Sequence, residues 1–513
     1  MGKSRPDVVL INPRSRTQVY QGLGQDLAAI ENPVWAGLMA TFVRKQGLSA
    51  EIIDAEADEL TPAEVAEQVI DLDPVLSVVV VYGHQPSAST QIMPASGAVA
   101  SAIKYSAPDQ KVLMVGGHVA ALPARTLAEE ACDFVGAGEG LFTIVDLARA
   151  LKASPSHPEL SKVRGLWYRE NGKMNATPNA PLLQNLDLEM PGVAWDLLPM
   201  DKYRAHNWHC FGDLERQPYA AIYTTLGCPY HCTFCCIQAP FKSGEKELGL
   251  KETANSYRYW SPKLVGDELE KLAGMGVRNV KIADEMFVLN KKHVMSICDE
   301  IIARKLTFNI WAYARIDTVK EGMLPKLKQA GFNWLAFGIE AANSRVQADV
   351  DKRFDEEDVY DTIAKTKAAG INIIGNFIFG LPEDDQASMQ ETLDMALGLN
   401  CEFANLYSAM AYPGSPLYNM ALAQSWELPE RWSGYSQHSV DSKPLRTKYL
   451  TSAEVLGFRD EAFQRYFKAP SYLNMIGEKF GQQTVRHIDG MTSHKLLRHN
   501  QPSPTRVPAA LHV

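Results

Sequence analysis

The stretch TTLGCPYHCTFCCIQAP, residues 224–240, brings Cys228, Cys232, Cys235 and Cys236 within nine positions. Four thiols that close together are seldom a packing feature, and soft thiolates suit metal binding. Structural zinc usually takes four ligands as two separated pairs, and no second Cys/His pair at zinc spacing occurs elsewhere in the chain. His231 or Cys236 would complete a zinc set only if neighbouring residues folded back tightly. The other chemistry is an iron–sulfur cluster held by three thiolates, with one iron left for a ligand from outside.

Such a loop needs a frame. From residue 220 onward, YAAIYTT, NVKIADE, FNIWAYAR, WLAFGIE, INIIGNFIFG and FANLYSAMAYP read as strands, with helices at 263–275, 291–304, 320–330, 356–369 and 386–398 between them. Such units in a row predict a partial (β/α)6 barrel over 216–420, whose functional end lies at the strand C-termini. The cysteines follow its first strand. Residues 1–152 alternate strands (DVVLINP, 50–54, VLSVVVVYG, KVLMVGGH, CDFVGAGEG) with helices. That rhythm predicts a doubly wound, Rossmann-like α/β domain, which binds ligands at the carboxyl ends of its strands. Gly83, Gly116, Gly117, Gly136, Gly138 and Gly140 stand there. Residues 153–215 read as a linker with a few short strands, and 421–513 as a mainly helical region.

Cys-x3-Cys-x2-Cys with Phe234 before the last cysteine resembles the cluster motif of the radical S-adenosylmethionine (SAM) enzymes. The resemblance implies a 4Fe-4S cluster on Cys228, Cys232 and Cys235, with Cys236 standing aside. The open iron of that family chelates S-adenosylmethionine, whose reductive cleavage gives a 5′-deoxyadenosyl radical. It also implies cofactor contacts residue by residue. Phe234 lies beside the cofactor. Glu285, with Asp284 as its neighbour, meets the methionine ammonium, where charge assistance favours an acid. Arg315 is suited to a bidentate grip on the methionine carboxylate. Glu340 falls at the ribose and Gly375 in the adenine-packing stretch, whose Gly375 and Gly380 are five apart here. Cys132, Cys210, Cys298 and Cys401 read as small buried hydrophobes.

The N-terminal domain resembles the cobalamin-binding domain of one large radical subfamily, through VVLINP, NPVWAGLMATFVRKQGLSAEIIDA, VLMVGGHVAALPA and CDFVGAGEG. Its implied cobalamin contacts are Asn12, Gly83, His84, Gly116, Gly117, His118, Gly138 and Glu139. The Asp-x-His-x-x-Gly motif that brings a cobalt-ligating histidine in many cobalamin proteins is absent, and RSRTQVYQGLGQDL after the first strand holds no histidine. The lower cobalt face is then left to water, to nothing, or to a non-His side chain of that loop.

The whole chain has 513 residues and a net charge of −9. It lacks the basic balance of a nucleic-acid binder, an apolar leader and an apolar run of about 18 residues that would span a membrane. The expected setting is the cytoplasm, with a small-molecule substrate and an electron donor such as flavodoxin or ferredoxin. The leading expectation is methyl transfer from methylcobalamin to an unactivated carbon, or to phosphorus. The second is radical cyclisation or rearrangement without methyl transfer. A methylthiolating enzyme would carry three further N-terminal cysteines, and the first 200 residues hold only Cys132. A non-catalytic cobalamin or zinc module would not need Glu285, Arg315 and Glu340 in that order. The long segment 237–262 is expected to cover the barrel mouth, together with the C-terminal helices.

Overall fold

The computed structural model describes residues 5–83, 85–212 and 214–500. The first sheet contains β1 (Val8–Asn12), β2 (Ala50–Asp54), β3 (Leu76–Val81), β4 (Val112–Gly116), β5 (Phe134–Gly136), β6 (Leu166–Glu170) and β7 (Lys173–Ala176), in the order β2-β1-β3-β4-β5-β6-β7. The first five run parallel. Helices cover both faces, so β3 (LSVVVV) is buried at every position, as a strand inside a parallel sheet must be.

A boundary at 152 cuts this sheet short. β6 pairs antiparallel with β5, and β7 with β6, so the first unit continues to Ala176. The turn between them is Asn171-Gly172, both at positive φ (50° and 74°). That two-residue turn matches strand twist and is the strongest short hairpin signal in a sequence. The rest of the expected linker is held down by buried polar groups. Glu268 accepts from Val193 N (3.1 Å) and from Trp195 Nε1 (2.9 Å), and Trp260 Nε1 donates to Met190 O.

The second sheet is all parallel. It comprises β8 (Tyr219–Ile222), β11 (Asn279–Ile282), β12 (Asn309–Ala314), β13 (Phe332–Glu340), β14 (Asn372–Phe379) and β15 (Phe403–Ser408), in the order β15-β14-β13-β12-β11-β8. These are the six expected strands, curled into a barrel open between β8 and β15. β9 (Thr225–Gly227) and β10 (Tyr257–Tyr259) form a separate antiparallel pair over its mouth. The helix Ser452–Phe467 packs beside β15, and the helices Pro470–Phe480 and Gln482–Ser493 pack on it and on each other. Tyr466 and Tyr472 donate their hydroxyls to the carbonyls of Cys401 and Glu402.

The two units share one apolar core and are clamped by polar contacts. Asn32 accepts from Ala221 N (2.7 Å) and donates to Ala221 O (3.1 Å) in β8. Glu31 accepts from the Tyr219 hydroxyl (2.9 Å) and pairs with buried Lys281 of β11 (3.1 Å). No helix among the described residues is long and apolar enough to cross a membrane.

Candidate active site at the junction of the two sheets

The cysteine loop leaves the barrel mouth through Gly227, whose φ of +88° belongs to the left-handed region. A Cβ there would collide with the Ser256 carbonyl across the β9–β10 pair, so only glycine lets the chain turn out at this point. Gln238 Nε2 donates to Cys228 O (2.5 Å), Thr233 N to Val350 O (3.2 Å), and Leu417 N to Thr233 O (2.8 Å). Cys228 is buried, while Cys232 and Cys235 are half-buried. Burial raises the thiol pKa of all three; beyond it, charge on Cys236, then on Cys228 and Cys232, raises that of Cys235, and charge on Cys232 raises that of Cys228. Cys236 packs instead with Met410, Tyr412 and Tyr435. Among the described residues no three His, Cys, Asp or Glu side chains gather around one metal-ion position. A cluster spreads its thiolates over several irons.

Strand ends carry the remaining barrel residues. Asp284 is fully buried, accepting from Thr224 N (2.6 Å) and from the Thr224 hydroxyl, so both its oxygens tie β11 to the end of β8. Glu285 points the other way and lines a cavity of about 30 Å³. Burial pushes its carboxyl up to about 8, with Lys281 opposing and Asp284 adding. Arg315 Nη1 lies 3.7 Å from Cys232 Sγ, its Nε is 3.0 Å from Asp317, and its guanidinium stands over Tyr230 at 3.9 Å. Glu340 sits at φ +67° beside a register shift in β13 and pairs with buried Lys352 at 2.5 Å. A non-glycine residue in that region is uncommon and strained, here at the end of a site strand. Phe234 packs with Val346, Leu381 and Leu417. Gly375 makes room for the Phe377 ring and the Cys401 sulfur, and is spent on packing rather than on an open surface.

The first unit's residues divide in the same way. Gly83 lines the small cavity with Gly117, Tyr82, Cys236 and Glu285. A Cβ on Gly138 would press on Ser243, just after the cysteine loop. Asn12 donates to Asp54 (2.7 Å) and lines a second cavity, of about 80 Å³, with Arg16, Glu56 and Gly83. Gly116 lies against the Val81 carbonyl. Two expectations change here. His118 is buried, bonded through Nδ1 to Thr90 (3.1 Å), and set edge-on to Trp432. Burial holds its ring neutral, down to about 3, and its surroundings are protein. Glu139 pairs with Arg258 of β10 (2.7 Å) and accepts from Leu183 N, so it is a strut between the units. His84 lies outside the described residues. Segment 237–262 lies over the small cavity at the barrel mouth, where Ile237, Pro240 and Phe241 line it, and its Ser243 and Arg258 meet the first unit.

A larger cavity, about 580 Å³, is lined by Lys281 of β11, Trp311 and Tyr313 of β12, β15 and the C-terminal helices. It shares Tyr20, Ala28 and His206 with the second cavity, and Gln85 with the first. The three make one seam between the sheets.

The radical SAM superfamily model matches residues 222–396, and the B12 binding domain model matches residues 20–148. The chain belongs to the cobalamin-binding radical SAM enzymes. An uncharacterised methyltransferase of Pyrococcus horikoshii is 29% identical over 94% of this chain and 97% of its own length. An anaerobic magnesium-protoporphyrin IX monomethyl ester cyclase of Cereibacter sphaeroides is 25% identical over 90% of this chain and 70% of its own. The radical SAM methyltransferase TsrM of Kitasatospora setae, solved with cobalamin and a 4Fe-4S cluster, shares the fold at TM-score 0.64 and 14% identity, over 94% of this chain and 99% of that one.

Cobalamin-binding radical SAM enzymes use a 4Fe-4S cluster, S-adenosylmethionine and cobalamin. The residues present fit these groups. Three thiols, Cys228, Cys232 and Cys235, follow one strand end, and Arg315 lies against one of them. Arg16 Nη1 is buried without a hydrogen-bond partner, while Arg16 Nε pairs with Glu56 Oε1 at 3.4 Å; both residues line the Asn12–Gly83 cavity and suit the amide-fringed edge of a corrin. Nothing in the spacing of RSRTQVYQ marked Arg16. Its partner Glu56 lies on a different loop, and only folding joins them.

Proposed function

We propose that this enzyme transfers a methyl group from methylcobalamin to an unactivated carbon, or to phosphorus, of a small molecule. One observation carries the reading: the strand ends of the first unit (Gly83, Gly117) and the barrel mouth (Cys236, Glu285) line the same small cavity. Groups held on either side of it would face each other at close range.

When bound, the three cofactors supply a substrate radical and a transferable methyl group. The protein's own part is positioning. Cys228, Cys232 and Cys235 would hold the cluster, and Glu285 would give up its proton to meet the methionine ammonium. Arg315 would hold the methionine carboxylate from beside Cys232, and the Glu340–Lys352 pair would present an oxygen to the ribose. The roof at 237–262 keeps water out of the junction. An electron donor such as flavodoxin or ferredoxin is the proposed partner, and the cytoplasm the proposed compartment.

The cyclase relative supports a second reading, cyclisation or rearrangement with the same cofactors and no methyl transfer. The methyltransferase relative matches over nearly the full length of both chains, which favours the first. Turnover with methyl-labelled S-adenosylmethionine decides between them. Label in the product supports methyl transfer, whereas label retained in methionine alongside 5′-deoxyadenosine overturns it.

A further inference from the structure

We infer that the 580 Å³ cavity between β12, β15 and the C-terminal helices is the substrate site, and that it takes a largely apolar, aromatic-sized molecule bearing one anionic group, recognised by Arg459. The link to chemistry rests on the methyl-transfer reading; the binding claim stands on the cavity itself.

The volume falls within the range of small-molecule sites, about 300–1,000 Å³. Its apolar lining is aromatic, with Trp208, Trp311, Tyr313, Phe403, Tyr407 and Phe463. Trp208 meets Trp311 edge-on at 5.2 Å and stacks on Phe403 at 5.7 Å, so the rings form a preset floor. Trp311 is 3% exposed, yet its indole N–H has no acceptor. A buried Trp N–H ordinarily finds a partner, and the cavity it lines is where a ligand oxygen would supply one.

Charge defines the other end. Among the described lining residues the cations are Lys281, Arg459, Lys468 and Lys495, and the one acid is Asp460. Lys281 is already matched by Glu31. Asp460 serves two guanidiniums, those of Arg459 (2.8 Å) and Arg498 (3.0 Å), which leaves that group one positive charge in excess. Arg459 gives Nε to Leu406 O, Nη1 to Asp460 and Nη2 to His438. An arginine has five N–H donors, so two remain. Burial holds the Arg459 guanidinium below its ordinary pKa despite Asp460, as expected of a cation short of anionic company. Lys468 and Lys495 are exposed at the rim, where they would draw an anion in. Tyr20, Gln85 and Gln91 of the cobalamin-binding unit also line the cavity, and the Tyr20 ring meets His438 at 5.5 Å, the side chain that Arg459 Nη2 bonds, so a molecule anchored at Arg459 lies against that unit.

The test is equilibrium dialysis of the full chain, reconstituted with cluster and cobalamin, against two matched probes. One is the aromatic anion 8-anilinonaphthalene-1-sulfonate, the other its neutral counterpart N-phenyl-1-naphthylamine. The expected result is one sulfonate per chain, bound at least tenfold more tightly than the amine. Arg459→Gln should remove that preference and leave amine binding within threefold. Because Arg459 also holds Leu406 O, the rim double variant Lys468→Glu/Lys495→Glu gives an independent reading, with sulfonate affinity down at least threefold and the amine unaffected. Equal binding of the two probes, or a preference retained in both variants, overturns the inference. So does sulfonate binding that appears only when cobalamin is left out of the reconstitution, which would make the cavity the corrin's own. Label transfer without probe selectivity would sink this site and keep the proposed function; probe selectivity without label transfer would do the reverse.

Discussion

Arg315 Nη1 lies 3.7 Å from the sulfur of Cys232, and the same guanidinium is paired with Asp317. A cation donating to a thiolate ligand favours the electron-rich state of a cluster, because hydrogen bonds and charge at the sulfurs set its potential. Arg315→Met should lower the cluster's reduction potential by on the order of tens of millivolts while iron content stays constant. An EPR-monitored redox titration that finds the potential unmoved would show the contact to be incidental.

Iron analysis after reconstitution separates the cysteines. Cys228→Ala, Cys232→Ala and Cys235→Ala should each lose the cluster and all S-adenosylmethionine cleavage. Cys236→Ala should keep a full complement, since its sulfur packs among Met410, Tyr412 and Tyr435. Loss of iron in that variant would contradict the assignment.

Neighbouring acids should behave oppositely. Asp284→Ala strands the buried Thr224 N–H and should cost about 1–3 kcal/mol of stability, visible as a lower Tm. Glu285→Ala removes a side chain facing the cavity, so S-adenosylmethionine affinity should fall at little cost in Tm. Affinity unchanged in the second variant would remove Glu285 from the site.

The Glu285 carboxyl also gives a pH signature. Its folded pKa of about 8 lies above the ordinary 4.5. Between those values the native state keeps a proton that the unfolded chain has released, and stability falls as pH rises through that window. Glu285→Gln should lose this slope, so that the variant gains on the parent from pH 5 to pH 8. Parallel Tm–pH curves for the two proteins would mean that Glu285 is ionised throughout.

Glu139 and Arg258 form a buried pair with side chains 6% and 10% exposed. Removing one partner should cost about 3–5 kcal/mol, while replacing both by apolar residues restores much of it. Glu139→Ala should therefore open the junction to limited proteolysis, and Glu139→Leu/Arg258→Met should close it again. Equal proteolysis of the two would place the strut elsewhere.

The barrel and its cysteine loop were legible in the sequence because strands buried on both faces read as unbroken apolar runs, and because the thiol spacing is local. β6 and β7 were equally legible, since Asn171-Gly172 between strand-like runs announces a hairpin, yet the surrounding Pro- and Ser-containing stretches read as a linker. Asp284 and Glu285 lie just beyond β11, in the irregular segment that follows it, and part there: Asp284 bonds Thr224, while Glu285 lines the small cavity. The true role of Glu139 was not legible. Its partner Arg258 is 119 residues away, and a Gly-Glu-Gly run fits a ligand contact as well as a strut. The same holds for His118, filled by Trp432, and for Arg459, whose meaning depends on a cavity that three distant segments build.

The grip of Asn32 on both backbone groups of Ala221 has one more consequence. β8 is a terminal strand of an open sheet, and such a strand offers unpaired N–H and C=O groups that invite other chains to add on. Asn32 stands in for the missing neighbour at one rung, so the cobalamin-binding unit acts as an intramolecular chaperone for the barrel's raw margin. The two units are therefore not interchangeable cassettes: a barrel cut free at residue 216 would carry a sticky selvage, and its solubility would depend on what was stitched back in place of the first 176 residues.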